Sequence, residues 1–264
     1  MAGSQPESNM ELDPKYDHYD FPTTAVEARD GHAGYLTAGQ QAQVHQLRMM
    51  LESEGFKKRL DTLTLLRFLR ARKWDVAAAK KMFTESEEWR NNLTVWDPSK
   101  GVYRPMSLAL EDPDKNPPAE PLKLDELVQT WDKDGSFKRG LSGLYTQYYH
   151  KTDKDGRPCY FEKLGKVNFD ELKKKHYTND RMLLNLAVEY EKMVDPRLPA
   201  CSRQAGHLLE TSCSVLDANG VGFTGQGLII NYIRQTSAMS NANYPERLGI
   251  PRPRHRLQDP RSQQ

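Results

Sequence analysis

A change of period constrains this chain most. Apolar residues recur at helical spacing through residue 96, a stretch rich in Pro, Asp and Gly ("DPSKG", "EDPDKNPPAEP", "DKDGS") fills positions 97–140, and strand-like and helix-like patterns alternate beyond it. A helix buries a stripe at 3.6-residue spacing and a strand buries alternate residues, so the two periods commit their segments to different packing. The order predicts an α/β protein: a helical N-terminal module, a linker or insertion with one short helix, then an α/β lobe.

Within residues 37–96 three helices are expected. "TAGQQAQVHQLRMMLESEG" places Val44, Leu47 and Leu51 on one face and closes at Gly55. "FKKRLDTLTLLRFLRARKWD" repeats the pattern with Leu60, Leu63, Leu66 and Leu69, and Asp75 is the natural N-cap of "VAAAKKMFTESEEWR", where Val76, Ala79, Phe83 and Trp89 share a side. Residues 1–36 carry no sustained period and read as a loosely ordered arm. From residue 141 to 249, "GLYTQYYHKTDKDGRPCYFEKLG" predicts two strands joined at Asp155-Gly156, and "RMLLNLAVEYEKMV" a helix through Leu183, Leu186, Tyr190 and Met193. "GHLLETSCSVLD" predicts a mostly buried strand, and "GQGLIINYIRQTSAMS" a helix burying Leu228, Ile229, Tyr232 and Ile233.

Composition narrows the function classes. The formal charge of +2 over 264 residues is concentrated after Gly249, where Arg252, Arg254, Arg256 and Arg261 face only Asp259. The body before it is slightly acidic, which argues against nucleic acid. Cys159, Cys201 and Cys213 form no C-x-x-C pair, so neither a disulfide framework nor a structural zinc is expected, and the thiols read as reduced. The start of the chain is polar and acidic without the apolar core of a secretory signal, and no apolar run approaches the roughly 18 residues of a membrane span. Any membrane contact is expected to be peripheral.

Several local motifs compete with plainer readings. Gly220, Gly222 and Gly225 in "GVGFTG" spell the dinucleotide fingerprint. Asp217, Ala218 and Asn219 intervene after the strand, however, and Glu246, about 20 residues on, has no second strand to carry it, so a flexible Gly loop is the better account. The two "DKDG" pieces, Asp132 to Gly135 and Asp153 to Gly156, have Gly in the wrong register for a calcium loop and read as turns. His207 near Cys201 and Cys213 lacks a further spaced metal ligand. Lys173 to Lys175 read as a solvated patch. No nucleophile, base and orienting group come together, so no catalytic residue and no metal site are assigned.

"TLTLLRFLRARKWD", "YYHKTDKDGRPCYFEKLG", "RLPACSRQAGHLLETSCSVLD" and "YPERLG" occur in series. Together they resemble the CRAL-TRIO lipid-binding superfamily, and within it the phosphatidylinositol/phosphatidylcholine transfer proteins of the secretory pathway. The resemblance covers most of residues 40–249, apart from the insertion. It implies a helical module on an α/β lobe whose sheet floors a phospholipid pocket under a mobile helical gate. It also implies no covalent chemistry, no cofactor other than the phospholipid ligand, and exchange of one lipid for another at a transient membrane surface. The expected setting is a cytoplasmic monomer associated peripherally with Golgi and other membranes, supporting phosphoinositide synthesis and secretory traffic.

Carried over by residue, the phosphoinositide head-group contacts fall on Arg72, Lys73, Glu246 and Arg247. Those of phosphatidylcholine fall on Tyr149, Tyr160, Tyr190, Ser212 and Ser214, where tyrosines can box a choline cation and hydroxyls can hold its phosphate. Ser214 stands where the relatives carry Thr. After Gly249 the pattern departs: Pro251 and Pro253 remove ladder donors that a central strand needs. The expectation that follows is a lobe truncated after Gly249, with residues 250–264 a disordered non-family tail. Such a chain is expected to carry no stoichiometric phospholipid and to move none between vesicles. It would also be poorly soluble or chaperone-bound at its open sheet edge. The alternatives are a non-transferring interaction or regulatory fragment and a dinucleotide-binding enzyme at Gly220–Gly225.

Overall fold

The computed structural model describes residues 12–24, 30–97, 99–110, 117–220 and 226–247. The tail from 250, Leu248, Gly249 and the fingerprint residues Gly222 and Gly225 lie outside them.

Three capped helices build the N-terminal module. α1 (Ala38–Ser53) starts at Thr37 in a capping box with Gln40. α2 (Thr62–Ala71) starts at Asp61, whose carboxylate accepts from Thr64 N at 3.0 Å. α3 (Val76–Asn91) starts at Asp75, as its sequence predicts, with Ala78 N donating at 2.9 Å. Their apolar stripes meet in a core of Leu47, Leu51, Leu65, Leu66, Leu69 and Phe83, with Phe68 edge-on to Phe83 at 5.3 Å.

The arm differs from expectation where it is described. Asp17 is buried and accepts from both Thr62 N and Thr62 Oγ1 at 2.7 Å, while Ala33 and Leu36 join the module's core. Thr24 bridges to Leu208 of the lobe. These polar anchors order a segment that lacks any apolar period, so periodicity could not reveal them.

The 97–140 stretch is likewise more structured than one short helix. β1 (Thr94–Asp97) and β2 (Val102–Pro105) form an antiparallel pair, followed by α4 (Leu124–Thr130) and α5 (Ser136–Ser142). Arg104 clamps the buried Asp180 through both guanidinium nitrogens at 2.6 and 2.8 Å, and Ser107 N donates to the same carboxylate at 2.9 Å.

In the lobe, β3 (Gln147–Thr152) and β4 (Pro158–Lys163) form the expected hairpin. Asp153 closes its turn by accepting from Asp155 N and Arg157 N, each at 2.9 Å, so the second "DKDG" is a turn. α6 (Phe169–Lys174), α7 (Asn179–Lys192) and α8 (Leu198–Ala205) then cross over to β5 (Cys213–Asp217), which pairs parallel with β4. α7 is the spine: Met182 through Val188 are all buried. Between α7 and α8 the chain bends at Asp195 (φ −145°, ψ 122°) before a cis Pro196.

Two expectations are corrected here. The strand predicted from Gly206 forms only from Cys213, because the preceding backbone donors are taken elsewhere: Leu208 N by Thr23 O, Leu209 N by Ser202 Oγ and Ser212 N by Arg247 O. β5 is also not mostly buried, since Leu216 is 58% exposed. α9 (Gln226–Asn243) buries Ile229 and Tyr232 as expected, but Leu228 and Ile233 face solvent. Its buried line instead runs through Gln235, Met239 and Asn243, set by packing on α3 and β1. Gln235 Nε2, for example, reaches Trp96 O at 2.7 Å.

Candidate functional site

The sheet brings one row of candidates together. Tyr149 on β3 is registered with Tyr160 on β4, and Tyr160 with Ser214 on β5. Registered residues project from the same face, and the two rings lie 5.1 Å apart at 51°. Alternation puts Gln147 and Glu162, themselves registered partners, on that face as well. Tyr190 arrives from α7; its ring is 4.9 Å from Tyr244, and it is close enough to raise the Tyr149 and Tyr160 phenols electrostatically. Burial is the main cause of both shifts.

A recess of about 480 Å³ opens beside this row, lined by Tyr145, Gln147, Tyr149, Tyr160, Glu189 and Arg197 among others. The Arg197 guanidinium stands over the Tyr149 ring at 4.4 Å, the position a choline cation would seek. It is held there by Glu189, which accepts from Arg197 Nη2 at 2.7 Å and also pairs with Lys138. Tyr160 Oη donates to Gln147 Oε1 at 2.8 Å, and Tyr145 donates to Glu162. Burial pushes the Glu162 carboxyl up to about 7.

Of the buried donors without a partner among the described residues, Gln147 Nε2 and the Tyr232 hydroxyl belong to this neighbourhood, whereas the Nε atoms of Arg67, Arg90, Arg181 and Arg247 lie elsewhere. Tyr232 sits edge-on to Tyr145 at 5.8 Å. Buried polar groups are nearly always satisfied, so unspent donors beside a recess suit a polar ligand head. Gln147, Glu162, Tyr145, Tyr232, Glu189 and Arg197 were not singled out from sequence. The alternation of β3 and β4 carries the signal for the first two and reaches back to Tyr145, two residues before Gln147, whereas Tyr232, Glu189 and Arg197 arrive from other elements.

The remaining candidates separate. Ser212 is buried, and its hydroxyl faces Arg247 O at 3.4 Å rather than the tyrosines. Ser214 stands in the row but is exposed. Arg72 and Lys73 are exposed at the C-terminal end of α2, Lys73 in a left-handed conformation at φ 52°. Arg247 is buried, donates to Glu210 O at 3.1 Å, and is pushed down to about 9 by burial and then by the like charge of Arg67. Glu246 accepts from Arg70 Nε at 2.5 Å.

The four predicted phosphoinositide residues therefore share no described contact. Arg70 of α2, which the sequence reading passed over, pairs with Glu246 and with Glu210, and the Glu210 carbonyl in turn accepts from Arg247. Arg247 lines a cleft of about 450 Å³ between module and lobe with Arg67, Arg90 and Tyr244, and Arg72 lines a different one of about 390 Å³ with Trp89 and Trp96.

Of the competing motifs, Gly220 adopts a left-handed φ of 92° against the Gly165 carbonyl, as a turn requires. No cluster of metal-ligating side chains occurs among the described residues, and none of their helices is long and apolar enough to cross a membrane.

A three-helix module joined to a lobe with an aromatic recess on a mixed sheet defines a class of two-part α/β proteins. Comparison with known families agrees: the CRAL/TRIO N-terminal domain matches residues 43–85, and the CRAL/TRIO domain residues 143–250. The chain is 44% identical over 219 residues to the SEC14 cytosolic factor of Candida glabrata, covering 83% of this chain and 62% of that protein. It is 40% identical over 231 residues to the Sec14 cytosolic factor of Schizosaccharomyces pombe, covering 87% and 69%. It is also 33% identical over 189 residues to a phosphatidylinositol/phosphatidylcholine transfer protein of Arabidopsis thaliana, covering 70% and 25%. The chain belongs to the CRAL/TRIO family. It spans about 62% of the length of the Candida relative.

Proposed function

We propose that this chain binds phospholipid in the recess on its three-stranded sheet and serves exchange of phosphatidylinositol and phosphatidylcholine at membrane surfaces. In that role it supports phosphoinositide synthesis and Golgi secretory traffic from the cytoplasm, as a lipid carrier that makes and breaks no covalent bond. The registered row Tyr149, Tyr160 and Ser214 with Tyr190 beside it carries the reading. Tyr149, Tyr160 and Tyr190 receive the choline cation, and Ser214 the phosphate side. The exposed Arg72 and Lys73 serve the inositol phospholipid, while the buried Arg247 and the Arg70-paired Glu246 act at a distance from them by holding the lobe against the module.

Energetics require an exchange step at a membrane. Two acyl chains hold about 30 methylenes, and at ~0.8 kcal/mol each their release into water costs on the order of 25 kcal/mol. The lipid therefore moves only where a bilayer receives it.

The exposed apolar side chains of β5 and α9, Val215, Leu216, Leu228 and Ile230 among them, favour a second reading. In it the chain keeps the head-group site but needs a partner surface to shield the acyl chains, and acts as a non-transferring fragment. One experiment separates the two. Purified chain is analysed for co-purifying lipid by mass spectrometry and assayed for movement of fluorescent phosphatidylcholine and phosphatidylinositol between vesicles. Transfer that Tyr149→Ala with Tyr160→Ala abolishes for phosphatidylcholine, and Arg72→Ala with Lys73→Ala abolishes for phosphatidylinositol, establishes the first. Saturable vesicle binding without transfer establishes the second, and neither binding nor transfer refutes both.

A further inference from the structure

Cys159 of β4 and Cys213 of β5 are registered partners on adjacent parallel strands. Neighbouring strands run about 4.8 Å apart, within the ~4.4–6.8 Å between Cα atoms that a disulfide spans. Registered residues project from the same side of the sheet, so both thiols share the face opposite Tyr160 and Ser214. The cysteines are free, with Cys159 buried and Cys213 partly exposed, and their thiols are close enough to interact directly. Cys201 lies on α8 against Met193, Leu198 and Leu209.

We propose that Cys159 and Cys213 form an oxidisable dithiol, a site at which peroxides convert the reduced pair into a disulfide joining β4 to β5. Cys213, the more exposed thiol, attacks hydrogen peroxide: its sulfur takes one oxygen to become a sulfenic acid, and water leaves. The Cys159 sulfur then attacks the Cys213 sulfur, the S–S bond forms, the S–O bond breaks and a second water leaves. Two thiols are oxidised and one peroxide is reduced to two waters. Burial, with Cys213 adding to it, pushes the Cys159 thiol up to about 11, so it carries little thiolate near neutral pH and Cys213 reacts first; the second step requires Cys159 to lose its proton and therefore quickens as pH rises. The disulfide closes a loop containing α6, α7 and α8, and so ties down the strand that ends just before Gly220. It uses the opposite face of the sheet from the proposed lipid row and stands or falls independently of the phospholipid reading.

The full chain carrying Cys201→Ser is treated with hydrogen peroxide, or with diamide, and its free thiols are titrated. The expected result is loss of both thiols together, a mass about 2 Da lower, one linked peptide pair containing Cys159 and Cys213, and no covalent dimer. The oxidised chain is also expected to melt several degrees higher, reversibly on addition of dithiothreitol. In Cys159→Ser the intermediate is expected to persist as a dimedone-reactive sulfenic acid on Cys213. The proposal is overturned if both thiols of Cys201→Ser stay titratable under both oxidants. It also fails if Cys213 proceeds to sulfinic acid while Cys159 remains free, or if links form only between chains. Should Cys159→Ser not fold, the Cys201→Ser thiol count alone decides.

Discussion

At the scale of single residues, Glu162 shows how a side chain unremarkable in sequence becomes a sensor of its surroundings. Its carboxyl, ordinarily near 4.5, is pushed up to about 7 because burial disfavours the charge. The fold therefore prefers the protonated acid, whose stabilising contribution is full below about 4.5 and is lost as pH rises through about 7. Glu162→Gln keeps the shape and removes the titration. The melting temperature of the unsubstituted chain is expected to fall relative to Glu162→Gln between these limits, leaving the variant the more stable above pH 7. Parallel melting curves across that range, with a constant difference, would show that the carboxyl does not titrate there. Such a residue was legible only as one of an alternating set; its neighbour Tyr145 falls on the alternation of β3, two residues before Gln147, whereas Tyr232 comes from α9 and no local pattern connects it.

Among elements, the insertion and α7 share an apolar core, with Met106, Leu124 and Phe137 against Leu183, Leu186 and Ala187, and an ion pair pins its edge. Asp180 is 1% exposed and accepts from Arg104 and from Ser107 N, fixing the β2 end of the insertion to the first turn of α7. Removing Asp180 deletes charge-assisted hydrogen bonds from Arg104 and from Ser107 N, a loss of about 1.5–3 kcal/mol. Asp180→Ala is expected to lower the urea midpoint by a corresponding amount; a shift below about 1 kcal/mol would mean that the clamp is dispensable. The Pro and Asp content of 97–140 announced turns but concealed β2 and α5. These are short elements stabilised by long-range contacts, and propensity weighs little over so few residues. The caps Asp61 and Asp75 have the opposite character: their signal lies within three residues, and Asp75 could be read directly.

For the whole molecule, the distribution of apolar surface matters most. β5, like β3, is an outer strand of its sheet among the described residues, and Val215 and Leu216 are exposed on its two faces. An unpaired edge with apolar neighbours is a template for association. The chain is therefore expected to self-associate with rising concentration, and Leu216→Lys with Leu228→Lys to reduce this without lowering the melting temperature. Sedimentation velocity over a hundredfold concentration range tests it. A monodisperse unsubstituted chain would remove the argument that this surface needs covering.

Sequence by itself determined the elements whose stabilising contacts are local or periodic: the helices of the module, the β3–β4 hairpin and the α7 spine. It also carried, through motifs in series, membership of the CRAL/TRIO family. Only the tertiary structure decided that Asp17 anchors the arm, that Ser212 turns to the Arg247 carbonyl, and that Arg72 and Arg247 line different clefts. It alone placed Cys159 beside Cys213. The physical reason is range: a cap or a stripe is written within a few residues, whereas a buried carboxylate, an arginine cluster or a cross-strand thiol pair depends on segments tens to hundreds of residues apart reaching one register.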